Sequence, residues 1–182
     1  MLINSIVFSN IDHPKLPGIS IFFQGCDAQP KCGNCHNPQT WEFDETYFVP
    51  YKFLLERVKK DLSFLLQEYD KVSLNFLGGE PLSKINRGTL KMLSKDIKSM
   101  FDKRVTTLLY SWRKPIEIHK QRLLEFVEHI DEFVLGRYLE KYKSLDAFPA
   151  SKNQLYITYY QLQEIISIIE EKEDEYADIN QL

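Results

Sequence analysis

Short apolar runs of strand length alternate with amphipathic helix patterns along most of this chain. The strand-like runs occupy residues 3–9, 18–25, 71–77, 105–112, 131–136 and 154–160. The helix-like patterns occupy residues 51–68, 87–100, 116–130 and, in an acidic tail, 162–176. After the first strand, this alternation predicts an α/β fold in which helices flank a mostly parallel sheet with right-handed crossovers.

The length and composition fit one globular unit. With 182 residues, we expect a single domain over residues 1–182, of which 160–182 form an acidic C-terminal helix or tail. A hydrophobic content of 43% argues against disorder, and a net charge of −3 gives no general attraction to nucleic acid. No apolar run has the length of a membrane-spanning helix. The first residues lack the pattern of a signal peptide, so the expected location is the cytoplasm.

Loops of unusual composition follow four of the predicted strands. In open α/β sheets ligands bind beyond the carboxyl ends of the strands, so these loops should face one site. The loops contain the cysteines, then Gly78–Gly79–Glu80–Pro81, then Ser111–Trp112–Arg113, and finally Gly136–Arg137. For Trp112, Arg113 and Arg137, ordinary packing or surface charge is the alternative interpretation.

All the cysteines of the chain, Cys26, Cys32 and Cys35, lie within ten positions. Such clustering in a chain without a secretion signal most often indicates metal binding. A structural zinc ion takes four protein ligands, so His36 or His13 would have to complete that site. A [4Fe–4S] cluster held by three thiolates leaves one iron open for a substrate or cofactor, which suits three cysteines better. Unligated core thiols and a reversible disulfide are the remaining interpretations.

The segment LNFLGGEP places two glycines at the end of a strand. Glycine accepts positive φ angles and allows a ligand to lie against the main chain. Glu80 then presents a carboxylate that can accept hydrogen bonds from an ammonium group. Taken alone, the segment predicts only a turn. Together with the three thiols one crossover earlier, it indicates a binding site.

The order and spacing of these segments resemble the radical S-adenosylmethionine enzymes. Within them, the chain looks most like the activating protein of the anaerobic, class III ribonucleotide reductase. The resemblance extends from about residue 6 to residue 157. It rests on the segments GISIFFQGC, CGNCHNPQTW with its Asn37, Thr40 and Trp41, LGGEPL, LLYSW, VLGRY and SKNQ.

The resemblance implies a partial (β/α) barrel in which the three cysteines hold a [4Fe–4S] cluster and S-adenosylmethionine chelates the open iron. Glu80 would receive the methionine ammonium. The implied cofactor site also includes Gly78, Gly79, Asn34, Ser111, Trp112 and Arg137. One electron would cleave the sulfonium bond, and the 5′-deoxyadenosyl radical would take a hydrogen atom from a glycine of a large reductase subunit. No catalytic residue beyond the cluster and S-adenosylmethionine is implied.

The implied partners are that large glycyl-radical subunit and a flavodoxin- or ferredoxin-like electron donor, with no nucleic acid and no membrane. Several features depart from the family pattern. Five residues separate Cys26 from Cys32 where the family usually has three. Asn34 stands where many relatives have an aromatic residue that supports adenine, so other adenine contacts must come from elsewhere. Leu135 and Ala150 stand where the family has an aspartate and a glycine.

These departures leave two alternatives open. One is a diverged radical S-adenosylmethionine enzyme that acts on another substrate. The other is a non-catalytic module that binds zinc or an iron–sulfur cluster.

Overall fold

A computed structural model of the chain describes residues 1–144 and 148–179, with side chains described up to residue 173. Its described strands form one sheet whose spatial order follows the chain order. The strands are β1 (Ile3–Ser9), β2 (Gly18–Phe23), β3 (Val72–Gly78), β4 (Val105–Ser111), β5 (Glu132–Leu135) and β6 (Leu155–Thr158).

The centre of the sheet is parallel and its two edges are antiparallel. β2, β3, β4 and β5 pair in parallel, whereas β1 pairs antiparallel with β2 and β6 antiparallel with β5. In the described part of the chain β1 and β6 are edge strands, so the sheet is not closed into a barrel. The α/β architecture with a mostly parallel sheet and flanking helices is confirmed.

In residues 1–144 and 148–179, four α-helices accompany the sheet: α1 (Tyr51–Leu65), α2 (Arg87–Phe101), α3 (Pro115–Lys120) and α4 (Tyr159–Ile179). The first three connect parallel strands, which need a long crossover between them. None of the helices within residues 1–144 and 148–179 is long and apolar enough to cross a membrane.

The hydrophobic core lies between the helices and one face of the sheet. Side chains alternate along a strand, so every second residue of β2, β3 and β4 points to this core. The helices contribute their apolar stripes to it. The core includes Ile19, Ile21, Phe23, Leu74, Phe76 and Leu109 of the strands and Leu54, Val58, Leu62, Leu90, Leu93 and Ile97 of the helices, all exposed by 1% or less.

The helix predicted over residues 116–130 is wrong in its second half. α3 ends at Lys120, and a 3-10 turn follows at Leu124–Phe126. Arg122 adopts a left-handed conformation with φ 54°, which breaks the helix. The pattern was misleading because Leu123 and Val127 still enter the core, although not as residues of a continuous helix.

The last strand is shorter than its pattern indicates. β6 ends at Thr158 and α4 begins at Tyr159, so residues 159 and 160 are helical. The side chain of Gln161 accepts hydrogen bonds from the amide and the hydroxyl of Thr158, at 2.9 and 3.2 Å. The predicted acidic tail helix corresponds to α4, and its residues 180–182 lie outside the described residues.

Candidate functional site

The base of the cysteine loop continues β2 and is hydrogen-bonded on both sides. The amide of Gly25 donates to the carbonyl of Thr40 at 2.8 Å. The amide of Cys26 donates to the carbonyl of Trp41 at 3.0 Å. On the other side, the carbonyl of Gly25 accepts from the amide of Glu80 at 2.8 Å. The main chain at Cys26 is therefore fixed between the returning limb of its own loop and the turn after β3.

Two buried amide side chains support this arrangement from behind. Gln24 donates from Nε2 to the carbonyl of Glu42 at 2.8 Å, on the returning limb. The carbonyl of Gln24 accepts from Nδ2 of Asn86 at 3.0 Å, at the start of α2. Sequence reasoning missed both residues. Their only sequence signal is position, one at a strand end and one just before a helix.

The Gly78–Gly79 turn packs directly on this base. Gly78 has φ 98°, a conformation that favours glycine, and a Cβ there would lie 2.8 Å from the amide nitrogen of Phe23. A Cβ on Gly79 would collide with the main chain of Gly25. The turn after β3 and the base of the cysteine loop lie so close together that both positions need glycine, whether or not a ligand is bound. Both also face the cavity described next.

A cavity of about 450 Å³ adjoins the cysteine loop on the sheet face opposite the helices. This volume is in the range of sites for small molecules. The wall includes Cys26, Cys32, Cys35, Gly78, Gly79 and Ser111. The rest is largely aromatic and apolar and includes Phe22, Trp41, Leu77, Tyr110, Trp112, Tyr138 and Phe148.

The three cysteines are free thiols that are each partly buried. Burial raises the pKa of Cys26 to about 11, and burial also raises the pKa of Cys32, where the charge of Arg137 opposes it. At neutral pH these thiols are therefore protonated unless a positive centre binds them. Burial therefore disfavours the free thiolate form of both side chains.

All three cysteines line the cavity. Among the described residues, no three histidine, cysteine, aspartate or glutamate side chains are gathered closely enough to hold one metal ion. In a [4Fe–4S] cluster each thiolate binds a different iron, so the ligands stand further apart.

The two histidines that were considered for zinc have different surroundings. His13 is 4% exposed, and its Nε2 lies 3.1 Å from Oε2 of Glu132. Its Nδ1 accepts from the amides of Lys15 and Leu16, so both ring nitrogens are occupied. His36 lines the cavity, and its ring is tilted by 50° to that of Tyr138, with centroids 4.3 Å apart.

Glu80 lies behind the cavity wall and is fully buried. Its Oε1 accepts from the amide of Leu82 and the hydroxyl of Ser111, both at 2.9 Å. Its Oε2 accepts from the amide of Trp112 at 3.2 Å, and Nη1 of Arg113 lies 3.2 Å from Oε1. Burial raises the pKa of Glu80 to about 7, whereas the charge of Arg113 lowers it. The carboxylate of Glu80 thus connects the turn after β3 to the end of β4.

The predicted cofactor residues divide into two groups. Gly78, Gly79, Ser111 and Trp112 line the cavity together with the cysteines. Glu80, Asn34 and Arg137 are placed elsewhere. Asn34 is exposed, with φ 56° between two cysteines, and the guanidinium of Arg137 contacts the main chain of the cysteine loop.

An ion pair near the cavity between a buried arginine and a partly exposed aspartate was not predicted. Nη2 of Arg113 lies 2.6 Å from Oδ2 of Asp27, and Arg113 is 4% exposed. Asp27 follows Cys26 directly, so this pair connects the cysteine loop to the end of β4. The sequence offers no sign of the pairing, because the two residues are separated by 86 positions in the chain.

A family model described as a 4Fe-4S single cluster domain matches residues 17–157. This range contains all three cysteines, the glycine turn and the strand ends around the cavity. A search of curated proteins finds no match to the chain.

Proposed function

Because this chain belongs to the family of 4Fe-4S single cluster domains, we propose that it is a radical S-adenosylmethionine enzyme that activates an anaerobic, class III ribonucleotide reductase. In this proposal residues 1–182 form one cytoplasmic domain, and the open sheet is a partial (β/α) barrel of the radical S-adenosylmethionine type. Cys26, Cys32 and Cys35 bind the [4Fe–4S] cluster.

The observation that carries the proposal is the meeting of the three cysteines and the Gly78–Gly79 turn at one cavity. A structural cluster normally takes four thiolates, and this chain has no fourth cysteine. One iron would then be free to bind a ligand. The cavity is large enough for a small molecule, and its aromatic wall is suited to a nucleoside.

When bound, the cluster supplies the single electron that cleaves the sulfonium bond of S-adenosylmethionine and releases the 5′-deoxyadenosyl radical. The residues of the chain bind and orient S-adenosylmethionine and shield it from water. Gly78 and Gly79 let the methionine part lie against the main chain, and Ser111 and Trp112 face the adenosine part. Apolar side chains such as Phe22 exclude water, which protects a reactive species from side reactions.

Glu80 has two roles in this proposal. In the described conformation it holds Ser111 and the main chain of Trp112 in place, both of which line the cavity. Direct contact with the methionine ammonium requires the carboxylate to exchange one of these donors for the ligand. Asn34 contacts the cofactor only after a comparable adjustment of the cysteine loop, whereas Arg137 contacts the main chain of that loop.

The proposed radical acceptor is a glycine of a large reductase subunit, and the proposed electron donor is a flavodoxin- or ferredoxin-like protein. The cavity adjoins surface residues that a protein segment could contact, among them Ile11, which is 85% exposed.

A diverged enzyme with another substrate is the second candidate. It is favoured by the five residues between Cys26 and Cys32, which lengthen the loop beside the cofactor site. A non-catalytic module that binds zinc or a cluster is the third, and the occupied ring of His13 counts against its zinc form.

Product analysis tests the proposal. The protein is purified without oxygen, reconstituted with iron and sulfide, reduced, and incubated with S-adenosylmethionine. We expect 5′-deoxyadenosine and methionine in equal amounts, and none from Cys32→Ala. Adding a class III reductase subunit should give the electron paramagnetic resonance doublet of a glycyl radical. Cleavage without that doublet would favour the diverged enzyme, and a cluster without cleavage would overturn the enzymatic proposal.

A further inference from the structure

The five residues between Cys26 and Cys32 are held by side chains from two other strand ends. A loop of this length costs conformational entropy to order, so its position must be fixed by specific contacts. In the described structure these contacts come from Trp112 and Arg113 after β4 and from Arg137 after β5.

The first set of contacts is centred on Asp27. Its Oδ1 accepts from Nε1 of Trp112 at 2.9 Å, and its Oδ2 accepts from Nη2 of Arg113 at 2.6 Å. Of the other guanidinium nitrogens, Nε makes a hydrogen bond, whereas Nη1 is within ion-pair distance of a carboxylate but has no hydrogen-bond partner among the described residues. Nε donates to Oε1 of Gln121 at 2.8 Å, and Nη1 lies 3.2 Å from Oε1 of Glu80. This buried guanidinium therefore faces the cysteine loop, the residue that follows α3 and the turn after β3.

The second set of contacts is made by Arg137. Its Nη2 donates to the carbonyl of Gln29 at 2.9 Å, and its Nη1 donates to the carbonyl of Pro30. Its charge also acts on the thiol of Cys32. The guanidinium therefore caps two carbonyls in the middle of the loop and lies near the next cluster ligand.

Trp112 connects the two sets. The guanidinium carbons of Arg113 and Arg137 lie 4.6 and 4.9 Å from the centroid of its ring. Such cation–π contacts favour a fixed orientation of all three side chains, because a guanidinium is held best over the face of the indole.

We propose that Arg113 and Arg137, arranged on Trp112, are positioning residues that clamp the loop between Cys26 and Cys32 in the orientation that presents these thiols to the cluster. The inference rests on the proposed function in that it assigns the cluster to these cysteines. It differs from the role implied by the resemblance, in which Arg137 contacts the cofactor. It also gives a role to Asp27, which supplies the carboxylate that Arg113 binds.

The rate of iron release tests the clamp on the full-length, reconstituted protein without S-adenosylmethionine. An iron chelator is added, and the loss of cluster absorption is followed. Supporting residues around metal ligands typically change metal affinity 10- to 100-fold, so Asp27→Asn and Arg137→Lys should each release iron roughly 10 to 100 times faster. Arg137→Lys keeps the charge and removes the paired donors.

Arg87→Lys is the matched control. Arg87 is also a partly buried arginine over an aromatic ring, 4.8 Å from the centroid of Phe126, but it lies on α2 away from the cavity. We expect wild-type iron release from it. The urea midpoint of each variant separates a local effect from general unfolding, since Arg137 is partly exposed and its replacement should leave that midpoint near the wild-type value.

The cluster reduction potential gives a readout that a purely structural role would not move. Arg137→Gln removes a positive charge near Cys32, so the potential should become more negative, whereas Arg137→Lys should largely preserve it. Iron release at the wild-type rate in both Asp27→Asn and Arg137→Lys would overturn the clamp. So would release that increases only in proportion to a loss of global stability.

The outcome is independent of S-adenosylmethionine cleavage. A wild-type protein that holds its cluster but cleaves no S-adenosylmethionine would contradict the proposed function and leave the clamp standing. A wild-type protein that cleaves S-adenosylmethionine, with variants that retain iron normally, would contradict the clamp alone.

Discussion

A Cβ atom on Gly79 would lie 2.4 Å from the carbonyl oxygen of Gly25. The turn after β3 and the base of the cysteine loop thus touch through main chain alone. This contact explains why the turn needs glycine even before any ligand is considered, and it couples the cysteine loop to the cavity wall.

The glycine contact predicts a stability difference between two alanine variants. Gly79→Ala must displace one of the two loops and should destabilise the protein by about 1–3 kcal/mol. Gly88→Ala is the control, because nothing lies within 4 Å of a Cβ there and the residue is in α2. It should stabilise the protein by about 0.5–1 kcal/mol. Urea unfolding measures both, and equal stabilities would contradict the close contact.

Single replacement of each cysteine tests the ligand set. Cys26→Ala, Cys32→Ala and Cys35→Ala should each lose the [4Fe–4S] spectrum after reconstitution, because the chain has no spare thiol. The far-ultraviolet circular dichroism should stay that of the wild type, since the core lies outside the loop. Full iron occupancy in any variant would remove that residue from the ligand set. Global unfolding on metal loss would indicate a structural site.

Glu80→Gln tests the carboxylate behind the cavity. The amide keeps the shape but removes the charge, so S-adenosylmethionine affinity should fall roughly ten- to a hundredfold. Iron content should stay normal, because Glu80 is not proposed as a ligand. Equilibrium titration of the reconstituted protein measures the affinity. Glu125→Gln, which removes an exposed carboxylate paired with Lys91, is the control and should bind normally.

Normal S-adenosylmethionine affinity in Glu80→Gln would mean that Glu80 has only a structural role, in which it connects the ends of β3 and β4. Loss of the cluster together with binding would mean that Glu80 acts through the cysteine loop.

Acid should weaken the contact between His13, in the loop after β1, and Glu132, in strand β5. The hydrogen bond from His13 holds the pKa of Glu132 below its usual value, against burial, and Tyr156 and Lys71 act in the same direction as His13. A lowered pKa means that the stabilisation is complete above about pH 4.5 and is lost as the pH falls through the folded-state value.

Glu132→Gln should therefore be less stable than the wild type at pH 7, by about 1.5 kcal/mol, the lower part of the range for hydrogen bonds to charged groups. The difference should shrink below pH 4.5. Urea unfolding at several pH values measures this difference in stability. The metal-free protein is used because iron–sulfur clusters are unstable in acid. A difference that is the same at pH 7 and pH 4 would show that the ionised form of Glu132 is not stabilised.

The periodicity of apolar residues predicted most of the strands and helices. The prediction failed where the conformation of a single residue or a local hydrogen bond set the end of an element. α2 follows its pattern closely because its apolar spacing matches one buried face. β1 occupies its predicted residues, although its Val7 and Phe8 are exposed. The end of α3 depends on the left-handed conformation of Arg122, which no apolar pattern encodes. The start of α4 depends on the local bond between Gln161 and Thr158.

The site divides in the same way. Strand-end loops could be placed together because parallel strands bring their carboxyl ends to one edge. The burial of Glu80 could not be foreseen, since it depends on Arg113 arriving from another strand end. Asp27 was overlooked for the same reason, because its partners Trp112 and Arg113 are distant in sequence.

Electron paramagnetic resonance of the reduced, reconstituted protein tests the central claim most directly. The three-cysteine site predicts a [4Fe–4S] signal whose g values change when S-adenosylmethionine is added, because the ligand reaches the iron that no cysteine holds. A cluster signal that S-adenosylmethionine leaves unchanged at saturating concentration would contradict the claim, as would a colourless protein with stoichiometric zinc.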